Sequence, residues 1–229
     1  YRLFSGSLTG TCLDTRRELQ MAKWLALALL AVMPVTAFTQ EAPTYEEGVN
    51  YHWVASNPAQ GDGIQVLEFF WYSCPHCYSF EPYLEKWLET KPADVEVVKV
   101  PATFNRPEVM MHARTFYALE AMGVPPSIHV DIMAEMHDRK NKMSDQAAVE
   151  RFLESKDVDI AAFRQAMESF AVYVKVQQAQ QMAQRFSISG VPALVVDGQY
   201  RSGDVKSYDH MVGLLDFLIE EARQSRGAQ

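Results

Sequence analysis

The run Ile64-Gln65-Val66-Leu67-Glu68-Phe69-Phe70-Trp71 is almost unbroken in apolar residues and, after Tyr72-Ser73, leads straight into Cys74-Pro75-His76-Cys77. A continuous apolar run suits a central strand covered on both faces better than a half-exposed one. Pro75 suits the first turn of a helix, where its ring presets the backbone angle and its missing N–H would have had no helical partner. A strand-to-helix turn is therefore expected at Cys74. Two cysteines with two residues between them can close a small disulfide only where such a turn brings their side chains together.

The neighbouring segments extend this start into a βαβ unit. Tyr51 to Ala55 reads as a short first strand, followed by the turn residues Asn57, Pro58, Gly61 and Gly63. The helix after Cys74 is expected to kink at Pro82. Val95 to Val100 is rich in β-branched residues and stops at Pro101, which predicts a second core strand. From Arg106 to about Arg185 the apolar residues recur at helical spacing, with breaks at Gly123 to Pro126, Asn141 to Ser144 and Lys156 to Asp159. Ser144 is the expected N-cap of a helix carrying Val149, Phe152 and Leu153. Asp159 is that of a helix carrying Phe163, Met167 and Phe170.

After a long helix ending near Phe186, Val191 to Val196 and Tyr200-Arg201 flank Asp197-Gly198, a hairpin signal. Asp204 to Arg223 predicts a closing amphipathic helix with Tyr208, Met211, Val212, Leu215, Leu218 and Ile219 on its apolar side. The expected class is α/β, with βαβ and then ββα elements around a central sheet and an all-helical insertion between them.

Met21-Ala22-Lys23, the short apolar stretch Trp24 to Met33 and Pro34-Val35-Thr36-Ala37 have the three parts of a secretory leader, with cleavage expected after Ala37. The apolar centre is well short of the roughly 20 residues a membrane helix requires. Residues 1–20 precede Met21, carry no periodic pattern and are expected to be upstream sequence outside the native protein. The mature chain would then have 229 minus 37, or 192, residues, with Cys74 and Cys77 as its only cysteines, since Cys12 leaves with the leader. A chain of that length buries a core without disulfide staples, and a bridge closing so small a loop removes little chain entropy. A reactive pair explains the two cysteines better than a structural one.

Removing residues 1–37 takes away four basic and two acidic residues and moves the net charge from −8 to −10. So acidic a chain argues against nonspecific nucleic-acid binding.

A thiol is nucleophilic only as thiolate, and the free N–H groups at a helix start point toward Cys74. Its pKa should fall, helped by a protonated His76 and by a hydrogen bond from that residue's ring or backbone. Cys77, one turn inside the helix, should be less exposed and act as the resolving partner. Stabilising the thiolate stabilises the reduced form, by about 1.4 kcal/mol or roughly 30 mV for each unit of pKa below the ambient pH, so the disulfide becomes a stronger oxidant.

Zinc is the main rival for a C-x-x-C pair. The mature chain has no second pair, His76 lies between the cysteines, and His52, His112, His129, His137 and His210 are scattered along the sequence. Val191-Pro192 reads equally well as an ordinary strand start or as a cis peptide that blocks metal capture and offers the Val191 backbone to an extended peptide. Glu68, a charge in an apolar strand, could relay a proton with Lys99 on the next strand as partner, but the residues alone favour an ion pair or an edge-facing carboxylate. Trp71, Tyr72 and the eleven methionines are expected in the core.

Together, Val66-Leu67-Glu68-Phe69-Phe70, Cys74-Pro75-His76-Cys77-Tyr78, the helical insertion and Gly190-Val191-Pro192-Ala193 resemble, in this order, the DsbA-type periplasmic thiol:disulfide oxidoreductases of bacteria. The resemblance covers nearly all of residues 45–225. It implies a thioredoxin fold of residues 45–103 and 171–226, interrupted by a helical domain over 104–170. It implies Cys74 as attacking cysteine, with Pro75 and His76 between it and the resolving Cys77. It also implies a cis Val191-Pro192 bond that meets the substrate, and Glu68 with Lys99 as buried proton-handling residues.

The resemblance further implies a monomeric periplasmic enzyme without metal or dissociable cofactor. Such an enzyme passes its disulfide to newly exported, unfolded cysteine-containing proteins and is reoxidised by a membrane quinone-linked partner of the DsbB type. A disulfide isomerase or reductase ranks second, because the roughly 26 residues between Ala37 and Ile64 are too few for the dimerisation domain of the dimeric isomerases. A noncatalytic peptide-binding module ranks third.

Overall fold

In the computed structural model the described residues are 44–54 and 59–227. The expected upstream extension, the leader with Met21 and Ala37, and the turn residues Asn57 and Pro58 lie outside them.

Five strands form one mixed sheet in the order β1-β5-β4-β2-β3: β1 (Tyr51–Trp53), β2 (Ile64–Phe70), β3 (Val95–Pro101), β4 (Ala193–Val196) and β5 (Tyr200–Ser202). The apolar run becomes β2, which pairs in parallel with β3 and antiparallel with β4. Flanked on both edges and covered on both faces, β2 is buried at every position but Gln65. Its alternation divides the core: Leu67 and Phe69 pack with the helices of the insertion, and Ile64 and Val66 with the first and last helices.

Cys74, with extended backbone, takes the N-cap position of α1 (Pro75–Leu88), which continues through Pro82. The insertion follows β3 as α2 (Pro107–Ala121), α3 (Ser127–His137), α4 (Gln146–Glu154) and α5 (Ile160–Glu168). The chain then returns through α6 (Phe170–Arg185), the β4–β5 hairpin and α7 (Tyr208–Gly227). Asp197 and Gly198 both adopt positive φ, 54° and 66°, and Gln199 N–H closes the turn onto the Val196 carbonyl at 3.0 Å.

Four details differ from expectation. Asp145, not Ser144, caps α4: its carboxylate accepts from Ala148 N–H at 2.8 Å, whereas Ser144 lies one residue too early to reach that amide. Phe170 does not continue the apolar side of α5. Ser169 is extended and caps α6 by accepting from Val172 N–H, so Phe170 begins a new helix and is 78% exposed. Strand β4 starts at Ala193, after Val191-Pro192. Finally, α7 starts at Tyr208 rather than Asp204, because Gly203 and Asp204 are held in backbone bonds to Asn50 and Val49, and Ser207 Oγ accepts from His210 N–H.

Candidate active site

Strand β2 ends below the start of α1, and the turn between them is closed by Cys74 N–H donating to the Trp71 carbonyl at 2.9 Å. Cys74 and Cys77 are free thiols here, Cys74 7% exposed and Cys77 fully buried. The Cys74 pKa is lowered to about 6. The largest cause is a hydrogen bond from the Cys77 thiol. Burial opposes it, and the backbone N–H groups of Cys77 and His76 and the His76 charge add to it. The same bond, with burial, pushes the Cys77 thiol far up. At neutral pH the pair therefore holds one thiolate, on the outer sulfur.

The ring of His76 is exposed and turned toward Tyr208, with Nδ1 3.3 Å from the hydroxyl, so its ring gives no hydrogen bond to the Cys74 sulfur. Across the site, the Val191-Pro192 peptide is cis and the Val191 carbonyl lies 3.3 Å from Cys74 Sγ, where it accepts from the sulfur only while Cys74 is protonated. His76, Val191, Pro192, Tyr208 and Met211 line a groove of about 450 Å³ beside the dithiol.

Beneath the turn lies a buried charge cluster. Glu68 and Lys99 are opposite each other in the parallel β2–β3 register, and Lys99 Nζ donates to Glu68 Oε2 at 2.8 Å. The pairing matches the ion-pair reading, yet burial wins over the lysine and raises Glu68 to about 7. Lys99 donates equally to Glu81 Oε1, at 2.7 Å. Burial would raise Glu81 too, but His129 and Lys99 hold it down to about 2.

Sequence reasoning missed Glu81, although a signal was available: it falls four residues after Cys77, on the same helix face as Phe80, Leu84 and Trp87. It also missed that three sequence-distant histidines of the insertion meet at the turn. Trp71 Nε1 donates to His112 Nδ1 at 3.0 Å, His129 Nδ1 lies 3.3 Å from the Tyr72 hydroxyl, and His137 Nε2 lies 2.9 Å from the Tyr72 carbonyl. Tyr78, next to Cys77, stacks on His137 and donates to Asp138 at 2.6 Å. Tyr72 is core as expected, whereas Trp71 is only partly buried, its ring covered by the Arg106 guanidinium. Among the described residues no three His, Cys, Asp or Glu side chains are grouped as metal ligands.

The DSBA-like thioredoxin domain family matches residues 65–216. The thiol:disulfide interchange protein DsbA of Pseudomonas aeruginosa is 34% identical over 207 residues, covering 89% of this chain and 98% of that protein. The protein of the same name from Azotobacter vinelandii is 38% identical over 170 residues, or 73% of this chain and 79% of that protein. The crystal structure of Pseudomonas aeruginosa DsbA superposes with a TM-score of 0.74 at 34% identity, covering 80% of this chain and 97% of that one.

Proposed function

The chain belongs to the DSBA-like thioredoxin domain family and is a thiol:disulfide oxidoreductase, and from that premise we propose that Cys74 and Cys77 are its redox pair, working as a disulfide donor. The observation that carries the direction is the unequal pair: a Cys74 thiol lowered to about 6 beside a Cys77 thiol pushed far up. One unit below neutrality stabilises the reduced form by about 1.4 kcal/mol, or roughly 30 mV, and so favours giving the disulfide away.

In the forward reaction a client thiolate attacks Cys74 Sγ of the disulfide, forming a mixed disulfide while the Cys74–Cys77 bond breaks. Cys77 leaves as a thiolate and takes up a proton, for which Glu68, near pKa 7 and electrostatically felt by Cys77, is the donor. A second client thiolate then attacks the client sulfur of the mixed disulfide and displaces Cys74 as its stabilised thiolate. Two client thiols are oxidised and the enzyme pair is reduced. Lys99 keeps Glu68 oriented and partly compensated throughout.

Pro75 shapes the helix start that aims Cys74. His76 adds charge and, with Val191 and Pro192, forms the wall where an extended client segment lies. The clients are unfolded, newly exported cysteine-containing proteins, and the leader-like Met21 to Ala37 supports work in the periplasm. A membrane quinone-linked reoxidase of the DsbB type would reclaim the electrons, and the dithiol needs no dissociable cofactor. The enzyme acts as a monomer. Residues 45–103 and 171–226 form the catalytic thioredoxin part, with 104–170 inserted.

Equilibration of the mature protein with glutathione buffers tests this reading. A reduction potential well above about −270 mV, the thioredoxin value, is expected, and a potential near that value would sink the oxidase direction in favour of a reductase.

A further inference from the structure

Lys99 treats its two carboxylates almost alike, at 2.8 Å from Glu68 and 2.7 Å from Glu81. Each carboxyl also keeps one buried oxygen without a hydrogen-bond partner, Oε1 of Glu68 and Oε2 of Glu81. One ammonium balances one carboxylate, and a second buried negative charge is costly, so the cluster tends to hold one proton. Lys99 alone cannot decide which carboxyl carries it. Burial in β2 raises Glu68, and the insertion acts on the other carboxyl: His129, on α3 and 8% exposed, places Nε2 3.6 Å from Glu81 Oε1. That is too long for a hydrogen bond but close enough for a dipole contact.

The other ring nitrogen fixes the direction of that dipole. Nδ1 faces the Tyr72 hydroxyl at 3.3 Å. A hydroxyl donating to Nδ1 leaves the ring hydrogen on Nε2, pointing at Glu81, whereas the opposite tautomer would turn a lone pair toward a carboxylate. Phe70 and Phe116 pack edge-on to the ring and hold it there. Glu68, by contrast, is fully buried in β2 with Lys99 as its hydrogen-bond donor.

Building on the reading of Glu68 as the proton donor to Cys77, we infer that His129 is a positioning residue that assigns the shared proton of the Glu68–Lys99–Glu81 cluster to Glu68 by keeping Glu81 as the anion. Burial keeps His129 itself neutral, as the mechanism requires. The charged groups facing it are Glu81 and Glu85 from α1 and Lys99 from β3. Glu120 of α2 lines the same cavity of about 430 Å³ as His129, Lys99 and Glu85.

The test is carboxyl titration by carbon NMR on the full chain with the dithiol reduced. In the wild type Glu68 titrates near neutrality and Glu81 remains ionised into the acid range. In His129→Phe the gap narrows by about one unit or more, Glu81 rising and Glu68 falling, while His129→Gln, which keeps a donor, largely preserves it. A folded Phe variant with both titrations unchanged overturns the assignment. Should that variant not fold, nitrogen shifts of the wild-type ring decide: a hydrogen on Nε2 supports the assignment and one on Nδ1 overturns it. Failure of the underlying reading looks different, because then Glu68→Gln leaves the pH profile of client oxidation unchanged while the order of the two carboxyl titrations stands.

Discussion

Lys99 stands directly opposite Glu68 in the parallel register of β2 and β3 and binds it at 2.8 Å, the only cation hydrogen-bonded to that fully buried carboxyl among the described residues. Removing a partner from a buried pair usually costs more than the pair itself contributes, because the remaining charge is stranded. Lys99→Met is therefore expected to destabilise the protein by about 3 kcal/mol at pH 8. Glu68 titrates in the folded state near 7, above its ordinary range, so its charged form weakens the fold as pH rises and its protonated form does not. The loss should shrink at pH 5, where a protonated Glu68 needs no counter-ion. Urea midpoints at the two pH values measure this, and equal losses would contradict the counter-ion role.

The Cys74 thiol has the opposite sign. Its folded pKa of about 6 lies below the value of a thiol in an unfolded chain, about 8.5, so ionisation stabilises the reduced folded protein. That contribution is complete above the unfolded value and is lost as pH falls through about 6. Relative to a Cys74→Ser variant, the reduced protein should thus gain stability steadily from pH 5 to pH 8. Denaturation midpoints of the two proteins, followed across that range, should diverge, and parallel curves would mean that Cys74 is not a thiolate at neutral pH.

What could be seen in the residues and what could not follow the range of the interactions. Local patterns were legible: the apolar run of β2, Pro75 at the start of α1, the Asp197-Gly198 turn and the Asp159 cap each depend on a few consecutive residues. The α/β class followed from their order. The Glu68–Lys99 pairing was within reach because both lie on neighbouring strands of one βαβ unit. The histidines were not, since His112, His129 and His137 reach Trp71 and Tyr72 only through the packing of α2 and α3 against the turn, over 41 to 65 residues of intervening chain. Glu81 was hidden for a different reason. A carboxylate on a helix's apolar face reads as an exception until its lysine is seen.

A third buried carboxylate, outside the Glu68–Lys99–Glu81 cluster, offers a control. Asp197 is fully buried at the hairpin turn and receives Arg226 Nε and Nη2 at 2.8 and 2.5 Å, while the same guanidinium donates to the carbonyls of Gly61 and Ala59. The last turn of α7 is thereby fastened to the sheet. Arg226→Leu should cost about 2–4 kcal/mol, by stranding the carboxylate and freeing two carbonyls. Adding Asp197→Asn should recover part of it. Urea unfolding of the single and double variants measures both, and the Cys74 titration should stay where it is, since none of these groups acts on the thiol.

The sulfur pair itself carries the last expectation. Pro-His between the cysteines draws attention to His76, but its ring points to Tyr208, and its charge acts on Cys74 less than the Cys77 thiol or the backbone N–H groups do. The largest is the Cys77 thiol. Because the disulfide form has no thiol to donate, this hydrogen bond exists only after reduction and so contributes to oxidising power directly. Cys77→Ala should raise the Cys74 pKa by about one unit or more, and His76→Ala by less than that. Thiolate absorbance against pH for the two variants gives the comparison. A larger shift for His76→Ala would return the histidine to first place and mean that the thiol pair does not stabilise its own reduced state.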